Sequence, residues 1–312
     1  MNYYKWIDSN GFSLKGKTVA LSGATGGIGS ILCDYIAYLG ANILCLDRNA
    51  EKSNALIEKL KIKYPNLSAK HITLDLEKFD NVKNVCKQLK EIDIDYLVLN
   101  AGAYKIPRYK CDTGYNNVFQ INFISPYFLA RELSSQIIKK GGRVVAVSSI
   151  AHNYSKIDIK DIDFSDKKAS SKVYGNAKRF LTLSLFSYFN SKNVLSIVHP
   201  GITLTNITAH FPKLVFALIK YPMKVIFMSA KKASLCILYG LFDRTQTGEW
   251  IGPRLLNIWG LPRKKQLKTF TYCELICSKE ISNKIYDKLT KDWRIYFPSI
   301  FCFWLKIIKN IK

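Results

Sequence analysis

The chain has 312 residues, 48% of them hydrophobic, and a formal net charge of +24. This length suits one large domain with appended segments, and the apolar content excludes a disordered chain. Eight scattered cysteines with no CxxC pair predict reduced thiols in a cytoplasm and no metal site. The N-terminus lacks the apolar run of a signal peptide, and no stretch is long enough to predict a membrane-spanning helix.

Strands and helices alternate along the chain, judged by short apolar runs and by helical periodicity. The predicted strands are Lys17–Ser22, Ala41–Asp47, Ala69–Asp75, Tyr96–Asn100, Arg143–Ser149 and Val194–His199. The predicted helices are Ile28–Leu39, Glu51–Lys63, Asp80–Glu91, Tyr115–Lys139, Ser171–Asn190 and Lys231–Phe242. This alternation predicts an α/β fold of the Rossmann type: a doubly wound parallel sheet with helices on both faces, in a single domain followed by a C-terminal helical tail.

The stretch SGATGGIG follows the first predicted strand and opens the first long helix. Gly23 permits a tight turn, Gly27 lets the backbone approach a pyrophosphate, and Gly29 lets the helix pack closely on the strand. The helix N-terminus offers unpaired N–H groups to phosphates. Asp47 ends the second strand, where a carboxylate accepts hydrogen bonds from an adenosine ribose. The stretch therefore predicts a dinucleotide site, although Gly23, Gly26 and Gly29 also fit a second spacing, GxxGxxG.

Tyr174 and Lys178 lie four residues apart on a predicted helix and therefore share one face. The pair alone is a weak signal, because Tyr188 and Lys192 have the same spacing. Position separates the two pairs. Tyr174 follows a strand that ends at Ser149 and precedes a strand that ends in His199-Pro200-Gly201.

Together these motifs resemble the short-chain dehydrogenase/reductase family, and in particular its retinol dehydrogenase-like branch. The resemblance covers roughly residues 14–260 and is carried by Ser22–Gly29, Asp75-Leu76, Asn100-Ala101-Gly102, Asn122, Ser148-Ser149, Tyr174 with Lys178, and His199-Pro200-Gly201 with Thr205. The LNAG run that ends at Gly102 and the HPG turn favour the GxxxGxG spacing of dehydrogenases over the GxxGxxG spacing of sugar-nucleotide enzymes. Ser22 stands where the family usually has Thr, and Leu99 where Asn is common.

A phenol with a pKa near 10 needs a nearby cation to act as a base at neutral pH, and Lys178 and an oxidised nicotinamide can both supply that charge. We therefore predict Tyr174 as the general acid/base. The resemblance implies that Ser149 hydrogen-bonds the same substrate oxygen, that Lys178 also holds the nicotinamide ribose, and that Asn122 supports a proton-conducting water. The predicted cofactor contacts are Gly23, Thr25, Gly27, Ile28, Gly29, Asp47, Arg48, Asp75, Leu76, Asn100, Ala101, Gly102, Tyr174, Lys178, Pro200, Gly201, Thr203 and Thr205.

The choice between NAD and NADP depends on two neighbouring residues. Asp47 would repel a 2′-phosphate and favours NAD, whereas Arg48 would attract that phosphate and favours NADP. No basic residue lies inside the glycine stretch. We predict NAD as the cofactor, with NADP as the alternative that the resemblance supports.

The predicted domains are an N-terminal extension (1–13), a dinucleotide-binding catalytic domain (14–262) and a helical tail (263–312). Residues 202–229 lie where the family builds its substrate lid, and their apolar, aromatic character predicts a bulky or lipid-like alcohol or carbonyl substrate. Residues 294–312 mix Trp, Phe and Ile with Lys and Arg. That mixture suits an anionic membrane surface on the cytoplasmic side better than nucleic acid, and a homo-oligomer contact or packing on the core explains it too.

The function predicted from the sequence is hydride transfer between a nicotinamide cofactor and an alcohol or carbonyl substrate. Two alternatives stay open at this point. A nucleotide-sugar epimerase or dehydratase would use the same Tyr and Lys. A non-catalytic dinucleotide-binding regulator would ordinarily lack one of the four catalytic side chains, all of which are present here.

Overall fold

The computed structural model describes residues 2–190, 192–203, 227–267 and 269–294. Eight strands form one sheet in the order β3-β2-β1-β4-β5-β6-β7-β8. Neighbouring strands from β3 to β7 pair in parallel, and β8 pairs antiparallel with β7. The predicted Rossmann-type sheet is confirmed. The strands are β1 Thr18–Ser22, β2 Asn42–Asp47, β3 Ala69–Thr73, β4 Tyr96–Leu99, β5 Arg143–Val147, β6 Leu195–Val198, β7 Glu249–Leu255 and β8 Trp259–Gln266.

The helices flank the sheet on both faces, as predicted. They are α1 Tyr3–Ser9, α2 Gly29–Tyr38, α3 Ala50–Lys63, α4 Phe79–Lys90, α5 Asn117–Phe119, α6 Ser125–Lys139, α7 Ser170–Phe189, α8 Ala230–Phe242 and α9 Tyr272–Arg294. A π-helical turn, Gln120–Ile124, joins α5 to α6, and a 3₁₀ helix covers Ile150–Tyr154. The long helix predicted over Tyr115–Lys139 is therefore interrupted at Asn122.

Two apolar cores lie on opposite faces of the sheet, because alternate residues of a strand point to opposite sides. In β1, Val19 and Leu21 pack with α2, α3 and α8, while Ala20 packs with α4, α6 and α7. All three side chains are fully buried. Burial on both faces explains why the central strands are continuous apolar runs.

The C-terminal part of the sheet differs from the sequence prediction. The β7–β8 hairpin had no predicted counterpart, and β8 crosses residue 262, where the predicted catalytic domain ends. The N-terminal extension contains α1, and Ile7 of this helix is fully buried. Phe12 stacks on Phe242 of α8 with ring centroids 4.0 Å apart. The extension therefore packs against the main body of the protein.

The strand order reverses beside β1, because β2 and β4 both pair with β1. The connections that leave β1 and β4 consequently diverge to opposite faces of the sheet. A crevice at this position is where doubly wound sheets bind their ligands. The glycine stretch and the predicted catalytic side chains all follow the carboxyl ends of these central strands.

Candidate active site

The glycine turn after β1 leaves no space for side chains at two of its glycines. Gly23 has a φ of +69°, and a Cβ at this position would lie 3.0 Å from the Cα of Ala101. At Gly29, where α2 begins, a Cβ would lie only 2.1 Å from the carbonyl oxygen of Gly23. A Cβ at Gly26 would lie 3.3 Å from that same oxygen. The geometry therefore requires glycine at both ends of the turn and is less demanding at Gly26.

Ser22, the residue that replaces the usual Thr, ties this turn to the end of β4. Its hydroxyl accepts hydrogen bonds from the backbone N–H groups of Asn100 (3.0 Å) and Ala101 (3.1 Å). The Asn100 amide donates in return to the carbonyl oxygens of Ser22 and Gly23. The structure thus brings the predicted cofactor contacts Gly23, Asn100 and Ala101 together.

Asp47 lies beside the turn, but its carboxylate is already engaged by the protein. One oxygen accepts from the backbone N–H and the hydroxyl of Thr25, at 3.1 and 3.0 Å. The other accepts from the Ser53 hydroxyl at 3.2 Å. Asp47 is 4% exposed, whereas the Arg48 side chain is 70% exposed and lies 3.9 Å from Glu77. Asp47 therefore positions the glycine turn, and its ribose contact stays a prediction.

Two further predicted cofactor residues follow β3. Asp75 is half-buried, and its carboxylate accepts from the backbone N–H of Glu77 at 3.1 Å. Leu76 is 7% exposed and packs in the core, and its carbonyl oxygen accepts from the Ser125 hydroxyl at 2.7 Å. The structure thus leaves little of Leu76 for a cofactor to contact.

Ser149 and Tyr174 meet at the end of β5. The Ser149 side chain lies close enough to Tyr174 to lower the pKa of its phenol. Ser149 is the N-cap of the 3₁₀ helix, and its Oγ accepts from the backbone N–H of Ala151 at 3.2 Å. The Tyr104 ring packs edge-on against the Tyr174 ring with centroids 5.2 Å apart. Sequence reasoning missed Tyr104, whose only signal was its place just after the LNAG run.

Lys178 lies one helical turn after Tyr174, with its Nζ 5.8 Å from the centroid of the Tyr174 ring. It is 2% exposed, and its Nζ donates to the carbonyl oxygen of Val147 at 2.8 Å. A Cβ at Gly102 would lie 3.5 Å from this Nζ and 2.7 Å from Oδ1 of Asn122. The missing side chain of Gly102, an exposed residue, thus lets the backbone after β4 lie directly against these two buried polar groups.

Asn122 lies in the π-helical turn and is fully buried. Its amide donates to the carbonyl oxygens of Ala103 and Val118, both at 2.8 Å, and its Oδ1 accepts from the Ala103 N–H at 3.2 Å. These bonds hold Asn122 against the segment that follows β4. π-helical turns are frequent at functional sites, which is consistent with the predicted role of this residue.

The two titratable side chains of the site have shifted pKa values. Burial raises the pKa of Tyr174 to about 12, although the neighbouring Ser149 side chain lowers it, and Tyr104 raises it further. Burial also lowers the pKa of Lys178 to about 8. The sequence predicts that Lys178 makes Tyr174 more acidic. Desolvation is the largest cause of the observed shift and acts in the opposite direction, so Tyr174 is a phenol at neutral pH.

The HPG turn follows β6 and is closely packed. Gly201 has a φ of +84°, and a Cβ there would lie 2.8 Å from the Cε of Met228 and 2.9 Å from the carbonyl oxygen of Ile258. Pro200 and Thr203 are buried. Thr205, most of the predicted lid (204–226) and the tail from residue 295 lie outside the described residues.

The site fits a dinucleotide. Glycines with no room for a side chain stand at the turn that leads into α2, and a third glycine, Gly102, brings exposed backbone against Asn122 and Lys178. The family model for short chain dehydrogenases matches residues 17–213. The chain belongs to the short-chain dehydrogenase family. It is therefore an NAD(P)-dependent dehydrogenase or reductase, as the sequence predicted.

Curated relatives are similar over much of this short-chain dehydrogenase. Human polyprenol dehydrogenase is 24% identical over 277 residues, which is 81% of this chain and 78% of the relative. Human retinol dehydrogenase 13 is 27% identical over 64% of this chain and 62% of its own length. These relatives agree with the predicted retinol dehydrogenase-like branch.

Solved structures support the fold. A protein from Mycobacterium paratuberculosis superposes with a TM-score of 0.65 at 20% identity, over 89% of this chain and 95% of the other. A short-chain dehydrogenase from Sphingobium yanoikuyae, solved with NADPH, gives a TM-score of 0.58 at 21% identity, over 74% and 86%. Within the described residues, no helix is long and apolar enough to cross a bilayer, and no group of side chains forms a metal site.

Proposed function

We propose that this enzyme interconverts a bulky, apolar alcohol and its carbonyl compound, with Tyr174 as the general acid/base. The observation that carries the proposal is the convergence of three side chains: Lys178 Nζ lies 5.8 Å from the centroid of the Tyr174 ring, and Ser149 at the end of β5 is close enough to lower the pKa of that phenol. A serine hydroxyl and a phenol that meet in this way can both bind one substrate oxygen. The nicotinamide ring of a dinucleotide bound at the glycine turn would supply or accept the hydride.

The proton moves according to the direction of the reaction. In reduction, Tyr174 gives its proton to the substrate oxygen, which suits a phenol whose pKa is about 12. Ser149 donates a hydrogen bond to the same oxygen and stabilises the charge that develops on it. In oxidation, Tyr174 must first lose a proton, and positive charge beside it stabilises the phenolate. Lys178 provides that charge, and Asn122 would support a water that leads protons from Lys178 to solvent.

The apolar character of the substrate is supported by the surroundings of Tyr174. Its ring packs against a cluster of Val118, Phe164 and Val173, which are all nearly fully buried. The Tyr104 ring adds a further apolar wall. Polyprenol and retinol dehydrogenases are among the similar proteins, and both are named for apolar isoprenoid alcohols.

We propose NAD as the preferred cofactor. The donors to Asp47 that the structure describes are neutral: an amide N–H and two hydroxyls. The negative charge of Asp47 therefore persists where a 2′-phosphate would lie. The charge of Arg48 is partly offset by Glu77 at 3.9 Å. Two carboxylates against one guanidinium disfavour the additional phosphate of NADP.

We also propose membrane association, on the composition of residues 294–312, which combine Trp, Phe and Ile with four basic residues. We place this contact on the cytoplasmic side and infer that an apolar substrate would reach the enzyme there. Truncation after residue 293 tests the idea by sedimentation with anionic liposomes. Unchanged binding would contradict it, and a changed elution volume without lost binding would indicate a homo-oligomer contact instead.

The experiment that tests the reaction compares Tyr174→Phe with Tyr188→Phe in a screen of alcohols and ketones followed by the absorbance of NADH. Tyr188 is a matched control, because it belongs to the same helix and also has a lysine four residues later. We expect Tyr174→Phe to lose about 10²-fold to 10⁴-fold in turnover, the usual contribution of general acid/base catalysis. Cofactor affinity should persist. Full activity of Tyr174→Phe would refute the mechanism.

Cofactor preference is tested by the dissociation constants of NADH and NADPH. We expect NADH to bind more tightly to the native enzyme, and Asp47→Ser with Glu77→Gln to shift the ratio towards NADPH by about tenfold, or about 1.4 kcal/mol. Equal or tighter binding of NADPH by the native enzyme would contradict the proposal.

A further inference from the structure

His152 follows Ser149 by three residues and is 2% exposed. Its Nδ1 lies 2.5 Å from the carbonyl oxygen of Ser149, and its Nε2 lies 3.0 Å from the hydroxyl oxygen of Thr269. A carbonyl oxygen only accepts hydrogen bonds, so Nδ1 carries the proton and Nε2 accepts from the Thr269 hydroxyl. Burial lowers the pKa of His152 to about 4, which keeps this neutral form at physiological pH.

Arg179 holds the same turn from the other side. It follows Lys178 directly on α7 and is 3% exposed. Its guanidinium donates to the carbonyl oxygens of His152 (3.1 Å) and Thr269 (2.6 Å). It also forms a two-pronged ion pair with Glu274 of α9, at 2.9 and 2.7 Å. Such paired bonds fix both partners in orientation.

The network extends to the HPG turn. The His152 ring contacts the Trp250 ring edge-on, with centroids 5.2 Å apart. The Trp250 ring also stacks on the His199 ring, with centroids 5.1 Å apart and an interplanar angle of 11°. The segments that follow β5 and β6 are thus connected through one buried aromatic row.

We propose that His152 and Arg179 are positioning residues for Ser149, and that the C-terminal helix α9 completes the active site through them. Ser149 is held by three hydrogen bonds: its Oγ accepts from the Ala151 N–H, and its carbonyl oxygen accepts from both the backbone N–H and the Nδ1–H of His152. The first bond occupies a lone pair of the hydroxyl, which leaves its proton free to face the substrate oxygen. The inference rests on the proposed role of Ser149 in catalysis.

The consequence concerns the C-terminal part of the chain. Thr269 and Glu274 belong to the segment that enters α9, and they supply the partners of His152 and Arg179. Displacement of this segment would take the Thr269 hydroxyl from His152 and the Glu274 carboxylate from Arg179 at once. α9 therefore acts as part of the catalytic domain, although the sequence predicts a separate helical tail over residues 263–312.

Three substitutions of His152 separate positioning from packing. Asn places an amide N–H near the position of Nδ1, Gln places one near Nε2, and Leu fills the space without any hydrogen bond. We expect His152→Leu and His152→Gln to lower kcat by up to about 10²-fold, the typical cost of a small misplacement in an active site. His152→Asn should recover most of that loss. Equal kcat values for Asn and Gln, or native kcat for Leu, would overturn the proposal.

A double-mutant cycle with Ser149→Ala identifies the route of the effect. If His152 acts through Ser149, His152→Leu should cause little further loss of kcat once the Ser149 hydroxyl is absent. A full additional loss would show a general structural role and would overturn the proposal. NADH affinity and the thermal midpoint of unfolding, measured for each variant, verify that the folded enzyme is compared.

Arg179→Lys and Glu274→Gln test the second anchor. Lys keeps the charge but loses the two-pronged geometry, so we expect a lower kcat with little change in the dissociation constant of NADH. Unchanged kcat in both variants would remove Arg179 and α9 from the proposal. These outcomes are distinct from a failure of the proposed function. If Tyr174→Phe retains activity, the mechanism itself is wrong. If Tyr174→Phe is inactive but the losses of kcat from His152→Leu and Ser149→Ala simply add, only the positioning network is rejected.

Discussion

The glycine turn after β1 and the catalytic cluster after β5 lie at the same edge of the sheet but are built by different means. The turn depends on missing side chains: a Cβ at Gly29 would collide with the carbonyl oxygen of Gly23. The cluster depends on buried polar side chains, such as Lys178 and Asn122, whose polar groups find partners in the protein. Backbone sterics govern the first region, and desolvation and hydrogen bonding govern the second.

This difference determines how each region responds to change. Around the glycines, the cost of a substitution follows the distance to the nearest backbone atom. Around the catalytic cluster, the cost follows the charge or hydrogen bond that is left without a partner. The comparison can therefore be tested with variants that lose unfolding free energy through only one of these causes, either steric contact or an unpaired polar group.

The largest expected effect is in the catalytic region. Arg179→Leu leaves the Glu274 carboxylate, whose side chain is 16% exposed, without its cation. We expect the free energy of unfolding, measured with urea, to fall by about 3–5 kcal/mol, the typical cost of breaking a buried ion pair. The matched control is Lys17→Met, which breaks the pair with Asp95 at a lysine side chain that is 44% exposed. That loss should stay below about 1 kcal/mol. Similar losses in both variants would contradict the comparison.

A smaller effect is expected in the glycine turn. In Gly29→Ala the new Cβ starts 2.1 Å from the Gly23 oxygen, so the first turn of α2 must move. We expect a loss of about 2–3 kcal/mol in unfolding free energy and weaker NADH binding. Gly26→Ala serves as the control, because its Cβ starts 3.3 Å from the same oxygen. If Gly26→Ala costs as much, steric contact is not the reason for glycine here.

The regions that the sequence predicted well are those with local signals. Six of the eight strands follow from apolar runs, because the central strands are buried on both faces. The glycine turn and the approach of Ser149 to Tyr174 follow from motif order in the family. The engagement of Asp47 by Thr25 could not be predicted, since nothing in the motif says which donors a carboxylate will find.

The features that were missed have weak or distant signals. The β7–β8 hairpin contains Pro253 and Pro262, which argue against strands, and β8 lies at the edge of the sheet with a basic sequence, RKK. The pairing of Arg179 with Glu274 joins residues 95 positions apart. Neither residue has a motif that points to the other, so only the folded structure reveals that α9 contacts the catalytic helix.

The smallest effect per residue concerns acid. Burial lowers the pKa of His199 to about 3 and of His152 to about 4, from an ordinary 6.5. Between pH 6.5 and each lowered pKa, the histidine binds a proton in the unfolded chain but not in the folded protein. The free energy of unfolding therefore falls as the pH falls from about 6.5 towards 3. We expect each histidine to remove about 2 kcal/mol of unfolding free energy between about pH 7 and pH 4.5.

The test compares that pH dependence among variants rather than their stability at a single pH. His199→Phe keeps a ring against Trp250 but cannot bind a proton, so the loss between the two pH values should shrink by about 2 kcal/mol. Val198→Ala, which changes the residue before His199 without removing an ionisable group, is the control and should leave the slope unchanged. An equal slope in His199→Phe and the native protein would mean that carboxylates dominate the acid response. That result would contradict the role given to desolvation in the catalytic region, because burial of an ionisable group there would then have no measurable effect on the free energy of unfolding.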